Sequence, residues 1–191
     1  MRMPCNLLTN LSMNKMNLYH GSVDKYASNE IIGPFVKNRC SERIKKPNGS
    51  LSGDDILESC RPRTKFSRID SVFALDRPEY CYEYIRADSK YLLEESSPLI
   101  NIYEVVMDSS TACPMALVNL IKDGENHYLI NEYWEPRLTW NFLEYLAPTM
   151  QIVRRLDEPN IIEICEARTK YNLDIKQGKK LMETITTETR K

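Results

Sequence analysis

Short apolar runs punctuated by Gly, Pro and small polar residues dominate this chain, and helical periodicity surfaces in only a few places. Leu18-Tyr19-His20 predicts a short strand that Gly21-Ser22 would break, with a helical stretch over 23–30 ahead of Gly33-Pro34. Ser71-Val72-Phe73-Ala74-Leu75 has the β-branched and aromatic content of a buried strand, and Asp76 stands where it could cap a helix carrying Pro78 and Glu79 in its first turn. Tyr80, Tyr84 and Ala87 then fall on one helical face. Ile100 to Met107 predicts the next long strand, and Pro114 to Lys122 a short helix stopped by Gly124.

Further on, His127 to Ile130 reads as a strand and Glu132 to Pro136 as an aromatic turn. Phe142 to Tyr145 and Gln151 to Leu156 predict two strands around Ala147-Pro148. Asn160 to Tyr171 predicts a helix behind Pro159. Residues 1–15 read as a loose leader, with Met13 or Met16 as alternative starts, residues 16–175 as one domain, and 176–191 as a polar tail. No internal repeat is visible, and the sum predicts an α+β fold of mainly antiparallel strands with helices inserted between them.

Composition narrows the setting. A chain of 191 residues buries roughly two-thirds of its unfolded surface, so no disulfide or metal staple is required. Hydrophobic residues at 42% and charged residues at 28% match a globular protein. A net charge of −1 gives no global drive toward nucleic acid or an anionic membrane. Cys5, Cys40, Cys60, Cys81, Cys113 and Cys165 form no C-x-x-C pair and are expected as free thiols in a reducing compartment. No run approaches the ~18 apolar residues of a membrane span, so a cytoplasmic protein without a membrane partner is expected.

One stretch departs from the average. Residues 36–68 hold nine Lys or Arg against four acids, with Pro47-Asn48-Gly49-Ser50 and Ser52-Gly53 inside, and read as an irregular basic excursion. It is either a functional loop or a solvated insertion.

There are two histidines. His20, followed by Gly21 and Ser22, stands beside backbone that a ligand can approach, although a structural role is also open. His127 lacks a partner motif and reads as ordinary. Phosphate-loop, dinucleotide-fold and zinc spacings do not occur, so no metal is expected.

Three segments together resemble one family. Leu18-Tyr19-His20-Gly21-Ser22 is similar to the first signature of ADP-ribosyltransferases of the diphtheria-toxin and poly-ADP-ribose-polymerase type. Ser71 to Asp76, running on to Tyr80 and Tyr84, resembles the second, and Phe142-Leu143-Glu144-Tyr145-Leu146 the third. The rifampicin-modifying branch of that superfamily is another close comparison. The resemblance spans residues 18–156 and implies split antiparallel sheets with inserted helices around a cleft for NAD⁺, the ADP-ribose donor.

Carried over residue by residue, the resemblance gives Tyr19, His20, Gly21 and Ser22 to NAD⁺ binding. Gly21 main chain would hold the nicotinamide carboxamide and His20 a hydroxyl of the adenosine ribose. Tyr84, or alternatively Tyr80, would stack on nicotinamide, as would Phe73, which stands where the family often has tyrosine. Glu144 would be the catalytic carboxylate that stabilises the ribosyl cation, because charge placed where it develops favours the transition state over the ground state. Glu132 and Glu135 are reserve candidates for that role.

The implied reaction is mono-ADP-ribosyl transfer to a macromolecular acceptor, protein before nucleic acid, in the manner of a toxin, effector or phage anti-defence protein. Glu144 lacks the second glutamate of the arginine-specific branch. The loss of the second-strand tyrosine leaves open a non-catalytic binding module.

Overall fold

The computed structural model describes residues 17–33, 53–88, 100–121 and 127–188. The proposed leader, the 36–52 part of the basic excursion, Gly124, the Ala87 side chain and residues 189–191 lie outside them.

Seven strands are present among the described residues: β1 (Leu18–Ser22), β2 (Ile31–Ile32), β3 (Val72–Leu75), β4 (Asn101–Val106), β5 (Thr111–Pro114), β6 (Leu143–Ala147) and β7 (Met150–Leu156). Four helices accompany them: α1 (Gly53–Ser59), α2 (Pro78–Asp88), α3 (His127–Trp134) and α4 (Ile161–Glu188), with a 3-10 turn at Met115–Leu117. The strands form one antiparallel sheet in the order β2-β7-β4-β1-β3-β6-β5. The predicted α+β class and antiparallel pairing are present.

The sheet is sharply bent. If it were flat, β6 and β7 would lie four strand spacings, about 19 Å, apart. Only Pro148 and Thr149 separate their ends, and three Cα steps reach at most about 11 Å. The strand order must therefore curl until its flanks approach. Inside the curl a core of Leu18, Ile32, Val72, Ala74, Tyr103, Val105, Tyr145, Ala147, Met150 and Ile152 joins side chains from both flanks.

The resemblance implies split sheets, and the structure has instead one sheet with a narrow join. β1 pairs with β4 over five positions but with β3 only at Tyr19↔Leu75. A four-strand and a three-strand half thus meet at a seam between β1 and β3.

The helices lie on the outer face. Leu75, Ile102, Tyr80, Cys81, Met115, Phe142 and Ala167 form one outer cluster under α2 and α4. Ile56, Leu57, Cys113, Leu129, Ile130, Tyr133, Trp134, Trp140 and Leu146 form another under α1 and α3.

Several local expectations are corrected. Gly21 and Ser22 do not break β1 but belong to it. Residues 23–30 are turns: Ser22 Oγ accepts from Asp24 N, Asn29 has φ 68°, and Asn29 N and Glu30 O bond to Ile152, drawing the segment into the edge of the sheet. Helix α2 starts at Pro78, and Asp76 Oδ1 is buried with no hydrogen-bond partner, so that oxygen caps nothing. Pro114 ends β5 and only a 3-10 turn follows.

His127 to Trp134 is a helix, because Leu129 and Tyr133, and Ile130 and Trp134, bury one face at i, i+4 spacing. Within the basic excursion, residues 53–68 are ordered by α1 and by Arg61, which donates to Glu58 and to Lys65 O.

The end of the chain is helix where a tail was expected. Asn160 Oδ1 accepts from Ile162 N and Glu163 N while Glu163 Oε2 accepts from Asn160 N, a reciprocal cap that starts α4. The buried side of α4 continues through Ile164, Ala167, Asp174 and Gly178. A Cβ at Gly178 would meet Leu120 Cδ1 at 2.5 Å and Leu117 Cδ2 at 3.1 Å, so glycine permits the helix to lie against the 3-10 turn and the residues after it. No helix among the described residues is long and apolar enough to cross a membrane.

Candidate functional site

Folding brings the three signature segments side by side as β1, β3 and β6 in the centre of the sheet. Register aligns Tyr19 with Leu75 and Leu75 with Glu144, so these three side chains share the outer face. Gly21 and Phe73, two residues along their strands, share it too, and α2 with Tyr80 and Tyr84 covers part of it. His20 and Ser22 alternate to the inner face. The predicted residues thus form two groups, with the seam between.

On the inner side, His20 Nδ1 lies 2.8 Å from Phe73 O and must carry the proton to bond a carbonyl. The imidazole thereby replaces a ladder bond missing between β1 and β3. Its ring centroid lies 6.1 Å from that of Tyr26, which lies 5.5 Å from that of Tyr103. Burial holds the His20 pKa below its ordinary value, outweighing the opposite pull of Phe73 O and Asp24. Neutral His20 therefore offers Nε2 as an acceptor. Burial also raises the Tyr26 pKa, against the hydrogen bond to Ser22.

Gly21 carries a different requirement from the one expected. A Cβ there would meet Ile85 Cδ1 at 2.4 Å and Cys81 Cβ at 3.2 Å, so the missing side chain admits helix α2. Cys81 Sγ donates to Tyr19 O at 3.1 Å, fixing helix and strand together.

The two tyrosines of α2 separate by burial. Tyr80 is 2% exposed and stacks on Phe142 at 4.0 Å between centroids, 19° between planes, which makes it a core residue and removes it as the stacking partner of a ligand. Tyr84 is partly buried against the same cluster.

Glu144 anchors the outer side. Its carboxylate Oε1 accepts from Tyr133 Oη at 2.7 Å and from Arg68, whose guanidinium also donates to Tyr133 Oη and, through Nε, to Asp54 Oδ1 at 2.7 Å. Arg68 and Glu144 are each 3% exposed. The Arg68 guanidinium carbon stands 5.1 Å over the Phe73 ring. Burial, first of all, pushes the Tyr133 pKa well up, so its hydroxyl remains a donor. No hydrogen bond from a described residue reaches Glu144 Oε2. One oxygen takes two donors and the other takes none from a described residue.

The reserve acids serve the fold or the surface. Glu132 Oε1 accepts from Arg137 N, Leu138 N and Trp140 Nε1, organising the loop after α3, and Glu135 is exposed. His127 is exposed as well.

Sequence reasoning missed Arg68, Tyr133, Asp54 and Tyr26. Arg68 stands at the end of a basic run that reads as either a functional loop or a solvated insertion, and only tertiary contact reveals that its charge is paired and buried. Among the described residues no group of three or more His, Cys, Asp or Glu is arranged to hold a metal ion. The sequence matches no protein-family model and no curated protein.

Proposed function

We propose that this chain is an NAD⁺-dependent mono-ADP-ribosyltransferase acting on a macromolecular acceptor. The observation that carries the reading is the Glu144 carboxylate, clamped at Oε1 and without a hydrogen bond from a described residue at Oε2, in the same cross-strand row as β1 and β3. A buried, oriented carboxylate with one free oxygen suits a transition state in which positive charge builds on a sugar. Asp54, Arg68 and Glu144 sum to one negative formal charge, the sign that attracts a cationic nicotinamide ring.

In this reading Glu144 Oε2 accepts a ribose hydroxyl and stabilises the charge that develops as the glycosidic bond to nicotinamide breaks. Phe73 and Tyr84 offer aromatic surface, and neutral His20 offers Nε2 to a hydroxyl. The acceptor nucleophile supplies the new bond to ribose and loses its proton, and nicotinamide departs with the bonding electrons. Protein is the favoured acceptor, since the net charge of −1 gives nucleic acid no general attraction.

Phe73, which lacks a tyrosine's hydroxyl, favours a second reading, a nucleotide-binding module without turnover. One assay separates them. Incubation with NAD⁺ and cell lysate should release nicotinamide and label macromolecules, and Glu144→Gln should lower the rate by about 10²–10³ with little loss of NAD⁺ affinity. Binding without release in the parent selects the module, and absence of binding rejects both.

A further inference from the structure

We propose that Arg68 and Tyr133 are positioning residues that hold the Glu144 carboxylate in one orientation, so that Oε2 rather than Oε1 meets the ligand. This rests on the reading of Glu144 as the reacting carboxylate. A glutamate on a strand has three side-chain torsions and no intrinsic reason to present one oxygen. Here two donors converge on Oε1 from separate elements, Arg68 from the segment before β3 and Tyr133 from α3.

The donors are themselves fixed. Tyr133 is fully buried, with its ring edge-on to Trp134 at 4.9 Å, and Trp134 Nε1 donates to Leu57 O at 3.1 Å. Arg68 is held through Nε by Asp54 on α1, and its main-chain N donates to Glu58 Oε2 at 2.9 Å. Arg68 also carries the Phe73 ring beneath its guanidinium. One cation therefore sets both the carboxylate and the aromatic surface offered to nicotinamide. Its planar fork suits this double duty, since a lysine ammonium has no fixed pair of directions.

A purely structural ion cluster would make a different set of predictions. It would tie α1 and α3 to the sheet, and its loss would lower stability without altering how the remaining carboxylate works. Positioning requires instead that the loss act through Glu144.

The test uses Tyr133→Phe, which deletes one hydroxyl, Arg68→Lys, which keeps the charge, and Arg68→Gln combined with Asp54→Asn, which removes one cation and one anion together so that the net cluster charge is preserved. In Tyr133→Phe and in the double variant, kcat for nicotinamide release should fall about 10–100-fold with KM for NAD⁺ little changed, the range typical of residues that orient a reacting group. Arg68→Lys should recover only part of the rate. Adding Glu144→Gln to Tyr133→Phe should cost no more than Glu144→Gln alone, because both act through one carboxylate.

A second readout needs no turnover. The Glu144 carboxyl ¹³C resonance of the full chain should be single and sharp in the parent and exchange-broadened in Tyr133→Phe. Unchanged resonance and fully additive rate losses would overturn the positioning role. A parent that releases no nicotinamide would reject the transferase reading, and the resonance would still decide whether Tyr133 and Arg68 orient Glu144.

Discussion

The imidazole of His20 donates from Nδ1 to the carbonyl of Phe73 at 2.8 Å, across the seam where β1 and β3 share a single paired position. Strand pairing that the main chain leaves unmade is supplied by a side chain; Nδ1 can donate in either protonation state, and burial is what disfavours the charged ring.

Burial lowers the His20 pKa below its ordinary 6.5, so the folded chain binds this proton less readily than the unfolded chain. The stability linked to neutral His20 is complete above 6.5 and is lost as pH falls from there through the lowered folded value. Urea unfolding at about pH 7.5 and about pH 5 should show a larger drop in midpoint for the parent than for His20→Asn. Parallel drops would show that His20 does not titrate between the two states.

Tyr80 and Tyr84 should fail differently. Tyr80→Ala empties a stacked core position beside Phe142 and should cost about 3–5 kcal/mol of stability, read from urea midpoints. Tyr84→Ala should leave the fold largely intact and weaken NAD⁺ binding by an amount worth about 0.5–2 kcal/mol in calorimetry. Equal NAD⁺ affinity in the parent and Tyr84→Ala would take Tyr84 out of the proposed site.

Asp174 is a second buried carboxylate with a clear duty. Its oxygens accept from Asn141 N, Asn141 Nδ2 and Phe142 N at 2.7–3.1 Å, tying α4 to the chain entering β6. Asp174→Ala would leave the buried Phe142 N–H unsatisfied and should cost about 1–3 kcal/mol in chemical denaturation, more if Asn141 is also stranded. Fast amide exchange at Phe142 in the variant would locate the damage. A variant as stable as the parent would mean that water replaces the carboxylate.

The thiols sort by exposure. Burial raises the Cys113 pKa to about 12 and the Cys81 pKa further, so neither supplies thiolate near neutrality. Alkylation of the native chain followed by peptide mass spectrometry should label Cys60 and Cys165, both exposed, and reach Cys81 and Cys113 only after unfolding. Native labelling of Cys81 would show that α2 lifts from β1.

Much of the strand content was legible because it was local. Val72 to Leu75 and Met150 to Leu156 carry β-branched and apolar residues that fit strands wherever they pair. His127 to Trp134 was misread because a short apolar run has no decisive period, and the helix rests on burial of Tyr133 and Trp134 against distant residues.

The site divides the same way. Glu144 is visible as a residue type in a motif, but its clamp joins residues 54, 68, 133 and 144, which no local window contains. Arg68 shows the limit plainly: sequence gives its charge, and only the fold gives its partners.

The order of strands has a mechanical consequence. β1, β2, β4 and β7 build one half of the sheet and β3, β5 and β6 the other, so the chain crosses the seam four times in passing from β2 to β3, β3 to β4, β4 to β5 and β6 to β7. The halves are laced together rather than set beside each other, and no single cut of the chain yields them as separate pieces. Any widening of the seam to admit a ligand is limited by its shortest lace, the two residues Pro148 and Thr149.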